Sequence, residues 1–587
     1  MEEIITSAKY DVATYKILVE GDEVDPVYQL LSLSITKEIN RIPVAKIIFR
    51  DGDAAKQTFE LSEQNFFVPG KKIQINIGRD SLNTQAFKGI IIKHSIKVKA
   101  NGNSQLQIEC MDESVKMTIG RHSHYFENVK DNEVFDELIS KYGLQSDPET
   151  TGLKHKELVQ HHISDWDFML LRAEANGMLV NVDDGAIKIL KPAIQSTEAL
   201  EINYGSSVLE FEAEMDARNQ YKSVNALSWD YSNQQLFKAN TSSADFTEEG
   251  NISASDIADA ISPDKFEMHH SGHKLEQELQ DWTDGIMLRS RLAKIRGRAR
   301  FTGVSTIKPG DTVKLSGVGK RFNGKAYVSA VRQDIGGGTW ETQIQFGLDP
   351  NRYAFVHHDL NDAASGGLVG GIRGLQIGIV VQLENDPDGQ DRVLVRIPVI
   401  DNDADGIWTR VASLDAGNER GAFFRPEIND EVIVGFINDD PRDPVLLGML
   451  NSSNKPAPIT AQDANDEKGF TTRSKMHLSF NDKTKTIVID TPAGNSITID
   501  EQSQKIEIVD QNQNKLTMAS SGIKLESPLN IDIKAGGVLT LGAGASLAIS
   551  GPSLSVKADA DVSIQGAIAK LSSSGITEIS GSLVKIN

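Results

Sequence analysis

The chain of 587 residues has little of several features that would point to particular functions. It has a single cysteine, Cys110, which excludes a disulfide framework within the chain and any metal or redox site made of paired cysteines. No run approaches the roughly eighteen apolar residues of a membrane-spanning helix. Residues 1–18 are acidic at positions 2 and 3 and lack an apolar segment. We therefore expect synthesis and assembly in the cytoplasm without a cleavable signal peptide.

Positive charge is also scarce. The chain carries 61 Lys and Arg against 82 Asp and Glu, which gives a formal net charge of -21. A field of this sign repels phosphates, so nucleic acid is not expected as a partner. One basic cluster, from Arg289 to Arg300, follows the acidic first half of a predicted helix. We interpret it as a solvated or subunit-facing helix end because it complements the helix dipole.

Signatures of catalysis and metal binding are missing as well. No GxSxG or Walker loop is present, and the acidic turn 401–406 begins like a calcium loop but has Ala412 where a bidentate Glu is needed. The histidines lack matching cysteines or an HExxH frame. They cluster as His122 and His124, His161 and His162, His269, His270 and His273, and His357 and His358. We predict no catalytic residues, cofactor or metal, although a weak calcium site at 401–406 stays open.

The sequence is rich in short segments in which apolar and polar residues alternate as in β-strands. Residues 1–362 predict a hub of two barrel-like β subdomains, about 1–125 and 200–350, with Asn101 and Gly102 at one of the turns. Helices interrupt them near 132–142, 165–176 and 274–296, where apolar residues recur at helical spacing. Asn132 is the predicted cap of the first helix, and Ser164 with Asp167 has the spacing of a capping box. The polar stretch 232–262 predicts a long surface loop.

The glycine-rich segment 363–374 is the clearest linker by composition. After it, residues 375–452 contain five short strands with acidic turns, which predict a small closed barrel of the OB type. A second polar linker, 453–472, leads to the last part of the chain.

Residues 473–587 contain short groups of apolar residues, mostly two residues apart, which we call beads. They are separated by small residues and recur every nine or ten positions at first and about every eight from Ile523 onward. Short strands with one or two inward side chains cannot form a core alone, and a fixed short period indicates stacking. A rung of eight residues is too short to close a turn of one chain, so we predict three intertwined chains. A disordered tail is the alternative, but it does not explain the regular beads. The predicted core residues are Ile523, Leu525, Ile531, Leu539, Leu547, Ile549, Leu554, Val562 and Ile564.

The five-strand segment carries a resemblance to a known family. Its spaced motifs 391–398, 408–412, 430–436 and 439–448 resemble the OB-domain signature of VgrG-type spike proteins. The residues that carry the signature are Arg392, Pro398, Trp408, Glu431, Pro441, Pro444 and Gly448. Upstream, 164–178 resembles the helix after the family's first barrel, and 309–311 with 322–328 resembles its second barrel. The similarity covers essentially the whole chain, in the family's domain order.

This resemblance implies a mainly β fold with two hub β-barrels bearing helical insertions, an OB-fold barrel and a C-terminal trimeric intertwined β-helix, or β-prism. It implies a structural, non-enzymatic spike of a contractile injection machine that delivers effectors. The implied partners are two further copies in a homotrimer, a PAAR-like tip protein, an Hcp-like inner tube protein and baseplate proteins, with possible effector cargo and a target membrane that is pierced mechanically. A type VI secretion system, an extracellular particle and a phage baseplate all remain open.

The end of the chain presents an apolar strand edge, which is expected to need a cover. Its residues are Leu583, Val584, Ile586 and Asn587. We predict that a separate tip protein covers them; fraying of the terminal strands is the alternative. A β-helical polysaccharide-degrading enzyme and a trimeric receptor-binding fibre are the rival functions. The first would need aromatic and charged side chains on the rungs, and the second a globular C-terminal head.

Overall fold

The computed structural model describes residues 12–99, 104–261 and 263–586, and the chain divides into two compact units, 1–449 and 450–587. The predicted turn at Asn101 and Gly102, the terminal Asn587 and Ser262 lie outside the described residues. The fold is mainly β, as the sequence predicts. Within the described residues, no helix is both long and apolar enough to cross a membrane.

The first part of the hub is a run of antiparallel strands around a core that includes Phe49, Phe67 and Phe87. Alternating apolar residues in β4 and β5 turn one face of the sheet inward. The elements are β1 Ala13–Val19, β2 Asp22–Glu23, β3 Leu30–Glu38, β4 Val44–Arg50, α1 Glu60–Glu63, β5 Lys72–Arg79, β6 Leu82–Lys97 and β7 Gln105–Met111, followed by a 3₁₀ helix, Glu113–Thr118.

A helical lobe follows, with a second core that includes Phe135, Trp166 and Met169. Its elements are β8 His122–Lys130, α2 Asp131–Ser140, β9 Gln145–Pro148, β10 Lys154–Ile163, α3 Asp165–Ala175, β11 Leu179–Asp183 and β12 Ala186–Leu190. Ser164 caps α3 as predicted, since its hydroxyl accepts a hydrogen bond from the Asp167 N–H at 3.1 Å. Asn132 does not cap α2, which begins at Asp131. Instead, its side-chain oxygen accepts hydrogen bonds from Thr151.

The rest of the hub contains β13 Leu200–Asn203, β14 Val208–Met215, β15 Val224–Asp230, β16 Gln235–Thr241, α4 Ala254–Ile261, β17 Phe266–His270, α5 Glu276–Leu292, β18 Ile295–Thr302, β19 Thr312–Ser316, β20 Gly324–Gly336, β21 Thr339–Phe346 and α6 Tyr353–Val356. The prediction of a surface loop over 232–262 is therefore wrong, because β16 pairs with β15 and α4 buries Ala254 and Ala258. The sequence gives little sign of either element, because the residues that α4 buries are small alanines and β16 is mostly polar.

The second predicted β subdomain has a core of its own that includes Phe301, Ile344 and Phe346, although its Ile335 and Trp340 pack in the core of the first. The strands of the two subdomains join in one sheet of thirteen strands, in the order β14-β18-β21-β20-β3-β4-β7-β6-β5-β1-β2 with β13 and β19 branching from β20. The joint is the antiparallel pair β3–β20, in which Leu33 lies opposite Ile335. This connection between distant segments is not visible in the sequence.

Five strands after the glycine-rich segment close a small barrel in the order β22-β23-β24-β28-β27. The strands are β22 Gln376–Gln382, β23 Val393–Arg396, β24 Ile407–Val411, β27 Glu431–Phe436 and β28 Pro444–Met449, with a short hairpin of β25 Ala416–Gly417 and β26 Arg420–Gly421 inserted between β24 and β27. The segment 363–374 is docked on this barrel, since the Ile372 N–H and the Ser365 hydroxyl both donate to the Asp439 carbonyl. Two 3₁₀ turns, Ala364–Gly367 and Ile437–Asp439, form this contact.

The second unit contains one antiparallel meander of seven strands, followed by a segment without assigned strands. The strands are β29 Glu467–Thr471, β30 His477–Asn481, β31 Thr486–Asp490, β32 Ser496–Asp500, β33 Lys505–Val509, β34 Lys515–Ala519 and β35 Gly522–Glu526. Each strand is five residues long and pairs with the next along the chain. The meander ends where the spacing of apolar residues changes to eight.

Candidate functional surface in the C-terminal tract

The seven-stranded meander has one apolar face. Opposed residues in neighbouring strands place Ile487 against Ile499 and Ile489 against Ile497, and Ile497 and Ile499 then meet Ile508 and Ile506. Because directly opposed residues share a face of the sheet, these contacts build two columns of apolar side chains. One column is Phe480, Ile487, Ile499, Ile506, Met518 and Ile523, and the other is Phe470, Leu478, Ile489, Ile497, Ile508, Leu516 and Leu525.

The opposite face of the meander is polar. Thr498, Glu507 and Thr517 follow one another across the strands, and Lys505 and Lys515 pair with the Glu507 carboxylate at 3.3 and 2.5 Å. These ammonium groups, Lys515 first, hold the pKa of Glu507 below its usual value. In the single chain the apolar face is the more exposed one in β31, β32 and β33. A sheet with this polarity requires an apolar partner surface.

Residues 527–586 are not assigned to strands, and every residue from Pro528 to Ile586 is exposed in the single chain. Its serine side chains accept local backbone hydrogen bonds: the Leu529 N–H donates to Ser527 Oγ, and the Gly575 N–H donates to Ser573 Oγ. The strands expected here are therefore absent from the isolated chain. An extended segment that has no ladder partner in its own chain leaves its backbone groups and its apolar beads for other partners.

The predicted core residues all lie in this exposed surface. Their relative exposures are Ile523 77%, Leu525 55%, Ile531 48%, Leu539 52%, Leu547 58%, Ile549 63%, Leu554 67%, Val562 53% and Ile564 83%. Near the chain end Leu583, Val584 and Ile586 are exposed too, at 74%, 46% and 86%. Asn587 lies beyond the described residues. These apolar residues are exposed in the single chain, and their burial by other chains stays a prediction.

The OB signature residues serve the barrel. The Arg392 guanidinium donates to both Asp386 carboxylate oxygens and to Asp388. The hydrogen bonds from Arg392 hold the pKa of the Asp386 carboxyl well below its usual range. Pro444 begins β28 and is buried, and Trp408 pairs with Leu394 across β23 and β24. The remaining signature residues lie at strand starts, turns and pairings: Pro398 follows β23, Glu431 begins β27, Pro441 precedes β28 and Gly448 pairs with Ile433.

Two of the predicted histidine clusters lie on neighbouring strands. His122 and His124 in β8 lie across from the His161–His162 bulge of β10, and His162 pairs with Asp362 at 2.5 Å. Within the described part of the chain, no group of three or more His, Cys, Asp or Glu side chains is arranged to hold a metal ion. The Asp401 carboxylate in the acidic turn accepts the backbone N–H groups of Asp403 and Ala404. Cys110 is completely buried, which raises the pKa of its thiol.

The basic cluster is neutralised. Arg296, Arg298 and Arg300 lie in β18, not at a helix end as predicted, and in the pairing register they oppose Glu214, Glu212 and Glu210 of the edge strand β14. Three of the resulting ion pairs are Arg296–Glu214 at 2.7 Å, Arg298–Glu212 at 2.7 Å and Arg300–Glu210 at 3.2 Å. Glutamates that are distant in sequence supply these partners. Sequence periodicity in β14 could have revealed the alternating glutamates but not their register.

Comparison with known proteins places these features in families. A model of the Alg8 N-terminal domain matches residues 9–337, more than half of the chain. The type VI secretion system/phage-baseplate injector OB domain matches 376–450, and the phage baseplate V C-terminal trimerisation domain matches 486–587. The matched boundaries follow the barrel and the apolar tract described above.

Among curated proteins, the chain is similar to the type VI secretion system spike protein VgrG1b of Pseudomonas aeruginosa, with 26% identity over 214 residues, 34% of this chain and 28% of the relative. It is 30% identical to VgrG3 of Vibrio cholerae over 81 residues, 14% of this chain and 8% of the relative. The chain thus spans under a third of the length of either protein.

A solved structure, the 43 kDa tail protein of prophage MuSo2 from Shewanella oneidensis, is 11% identical with a TM-score of 0.44, covering 58% of this chain and 98% of that one. The chain belongs to the family of the Alg8 N-terminal domain, whose model matches more than half of it, and its OB-domain and trimerisation-domain matches together with the VgrG relatives identify it as a VgrG-type spike protein.

Proposed function

We propose that the protein is the homotrimeric structural spike of a contractile injection machine. The observation that carries this proposal is the apolar surface of 467–586, which is exposed in the single chain and overlaps the segment matched by the trimerisation domain. Three copies of the meander bring three apolar faces together around one axis. Each fully buried Ile or Leu side chain then contributes about 1.5–3 kcal/mol.

The two parts of the tract act differently in this trimer. The meander carries its own backbone ladder and needs only side-chain contacts from the other copies. Residues 527–586 take their ladder partners from the neighbouring chains, so the three chains intertwine. No chain can then leave without breaking many layers, and such a needle transmits force without unfolding. Sheath contraction supplies the energy, and the chain itself performs no chemical reaction.

The proposed partners follow from this role. The hub, residues 1–362, joins an Hcp-like inner tube and baseplate proteins, and its two β subdomains per chain give six similar units in a trimer. The barrel at 375–452 is the neck. The protein is assembled in the cytoplasm and leaves with the particle on firing, with effector cargo attached to it. A polysaccharide-degrading activity is not favoured, since 523–586 contains no aromatic residue that could bind a sugar ring.

A pair of neighbouring substitutions tests the trimer. Ile497→Asp puts a carboxylate on the apolar face, whereas Thr498→Asp, one residue on, puts it on the polar face. We expect light scattering to give trimers for the native chain and for Thr498→Asp, and loss of the trimer for Ile497→Asp. A native chain that is monomeric, or two variants that behave alike, would contradict the proposal.

The tip partner is tested separately. The exposed end at Leu583, Val584 and Ile586 is proposed to seat a PAAR-like tip protein. Full-length chain and a chain ending at Leu571 are compared in pull-downs with that protein, after both are shown to be trimers. We expect the shorter chain to lose the tip protein. Equal recovery with both would mean that the tip partner binds elsewhere or not at all.

A further inference from the structure

The chain leaves the hub through residues 357–362, which we call the exit segment. It follows α6 and precedes the glycine-rich segment 363–374, which is docked on the barrel. The exit segment lies on the helical lobe, where Leu360 is buried in the core that includes Phe135 and Trp166. This short stretch therefore links the packed hub to the barrel.

An arginine from the start of the helical lobe binds the exit segment. Arg121, directly before β8, donates through Nη1 to the Leu360 carbonyl at 2.6 Å and through Nη2 to the Asp359 carbonyl at 2.5 Å. Its Nε lies 3.3 Å from Asp362 Oδ1. A guanidinium stays charged at every pH that a protein normally meets. This contact therefore holds the exit segment independently of pH.

The second charged contact with the exit segment involves a titratable side chain. His162 Nε2 lies 2.5 Å from Asp362 Oδ2. His162 belongs to the bulge of β10 and has a φ of 46°, a left-handed conformation that is costly for a residue with a side chain. Its N–H donates to Ser123 Oγ at 3.0 Å, and its carbonyl accepts from Arg121 at 3.1 Å. A bulge redirects a side chain, and here the imidazole meets the carboxylate of the exit segment.

The charges around His162 act in both directions. The Asp362 carboxylate attracts a protonated imidazole, whereas the Arg121 guanidinium, which contacts the same carboxylate, repels it. In β8, His122 Nε2 lies 4.0 Å from the buried Asp165 carboxylate. The other titratable side chains that contact these residues or neighbour them on the same elements are His124, Glu137, Lys141, Tyr142, His161, His358 and Asp359.

We propose that His162 and Asp362 form a pH-sensitive latch on the exit segment. A histidine side chain changes its charge between about pH 5 and 8. The protonated imidazole forms an ion pair with Asp362 and tightens the exit segment on the hub. As pH rises the ring becomes neutral, and only a hydrogen bond remains. Because Arg121 stays bound at either pH, the latch changes how tightly the hub holds its link to the barrel.

The latch lies within one chain, so it goes beyond the proposed spike function and does not depend on the trimer. Both side chains of the pair are half-exposed, and ion pairs of this kind are weak because water screens them. The expected effect is therefore a modest local one in the exit segment, with the fold of the hub unchanged.

Hydrogen exchange of the full-length protein tests the latch by comparing the native chain with His162→Gln at pH 6 and at pH 8. Glutamine can donate a hydrogen bond as the neutral ring does but carries no charge. Comparing two proteins at one pH cancels the intrinsic pH dependence of exchange. The relevant peptides cover 357–368, which includes the hydrogen-bonded amides of His357, Gly366 and Leu368. We expect about threefold faster exchange in the variant at pH 6, and equal exchange at pH 8. Equal exchange at pH 6 overturns the latch.

Two further substitutions serve as controls. His161→Gln changes the exposed neighbour in the same bulge and should match the native chain at both pH values. His162→Asn is a second uncharged variant that favours the left-handed backbone of the bulge, and it should reproduce His162→Gln. Peptides of β3 and β20 report whether each variant keeps the hub fold.

A double-mutant comparison identifies the partner. In an Asp362→Asn background, adding His162→Gln should have no effect at pH 6, because the carboxylate that attracts the imidazole is gone. An effect that persists in this background, or an equal effect of His161→Gln in the native background, overturns the pairing of His162 with Asp362.

Discussion

Single residues in the hub show how a strongly acidic chain buries charge. Lys294 is completely buried, and its ammonium donates to Glu248 Oε2 at 2.7 Å and to the carbonyls of Glu249 and Ile252 at 2.8 and 3.1 Å. Every proton of this cation is therefore used, as a buried ammonium requires. The contacts fasten the segment before α4 to the end of α5.

Glu249 beside it is also buried, and burial raises the pKa of its carboxyl to about 7 from 4.5, although the nearby Lys294 charge acts in the opposite direction. The folded state favours the neutral acid. This contribution to stability is complete below the unfolded pKa of 4.5 and is lost as pH rises through about 7, a difference of about 3 kcal/mol.

Glu249→Gln should remove this dependence, since an amide does not ionise. Urea unfolding of the native chain at pH 5 and pH 8 should show a larger loss of hub stability than unfolding of the variant. Asp245→Asn, at an exposed position in the same segment, serves as the control and should retain the native pH dependence. Identical profiles for native chain and Glu249→Gln would show that this carboxyl does not titrate between these values.

At the scale of elements, α3 and α5 meet through two glycines. A Cβ atom on Gly285, in the middle of α5, would lie 2.8 Å from the Gly177 Cα and 3.0 Å from its nitrogen. Backbone atoms cannot move aside as side-chain ends can. The close crossing therefore needs glycine at a position where helix propensity alone would favour alanine by about 1 kcal/mol.

Gly285→Ala should consequently destabilise the hub although it improves the helix. We expect a lower thermal unfolding midpoint, measured by circular dichroism. Gln277→Ala, at an exposed position of the same helix, should leave the midpoint unchanged or raise it. A rise for Gly285→Ala would mean that the crossing can open to admit a methyl group.

The C-terminal tract contains two kinds of element, and hydrogen exchange distinguishes them. Within the assembled protein, amides of 527–586 should exchange slowly although the single chain gives them no ladder, because neighbouring chains supply the acceptors. The Ile497→Asp variant should lose this protection in 527–586 first, while the in-chain ladder keeps part of the protection in 467–526. Fast exchange of 527–586 in the native trimer would contradict intertwining.

At the scale of the whole molecule, many shared layers should make the assembly kinetically stable, because dissociation requires all the layers to open together. We expect the native protein to migrate as a trimer on denaturing gels without heating and as a monomer after boiling. A chain ending at Glu526 should lose this resistance to detergent. Migration of the unheated full-length protein as a monomer would rule out an intertwined needle.

The sequence by itself determined the five-stranded barrel, the helices α2, α3 and α5 and the apolar residues of the C-terminal tract. Local spacing carries these features: alternation along strands, helical periodicity in α2, α3 and α5, and a period that changes near Ile523. The change of period marks where the in-chain meander ends. The beads also predicted which residues form the exposed apolar surface, because apolar side chains can be recognised in the sequence without knowing which chain covers them.

Only the tertiary structure decided how distant segments meet. The joining of both β subdomains through β3 and β20, the pairing of Arg296 with Glu214, and the glycine contact between Gly177 and Gly285 depend on register and close approach, which leave no local periodicity. The helix α4 was missed for a related reason, because alanines bury without a strong apolar signal.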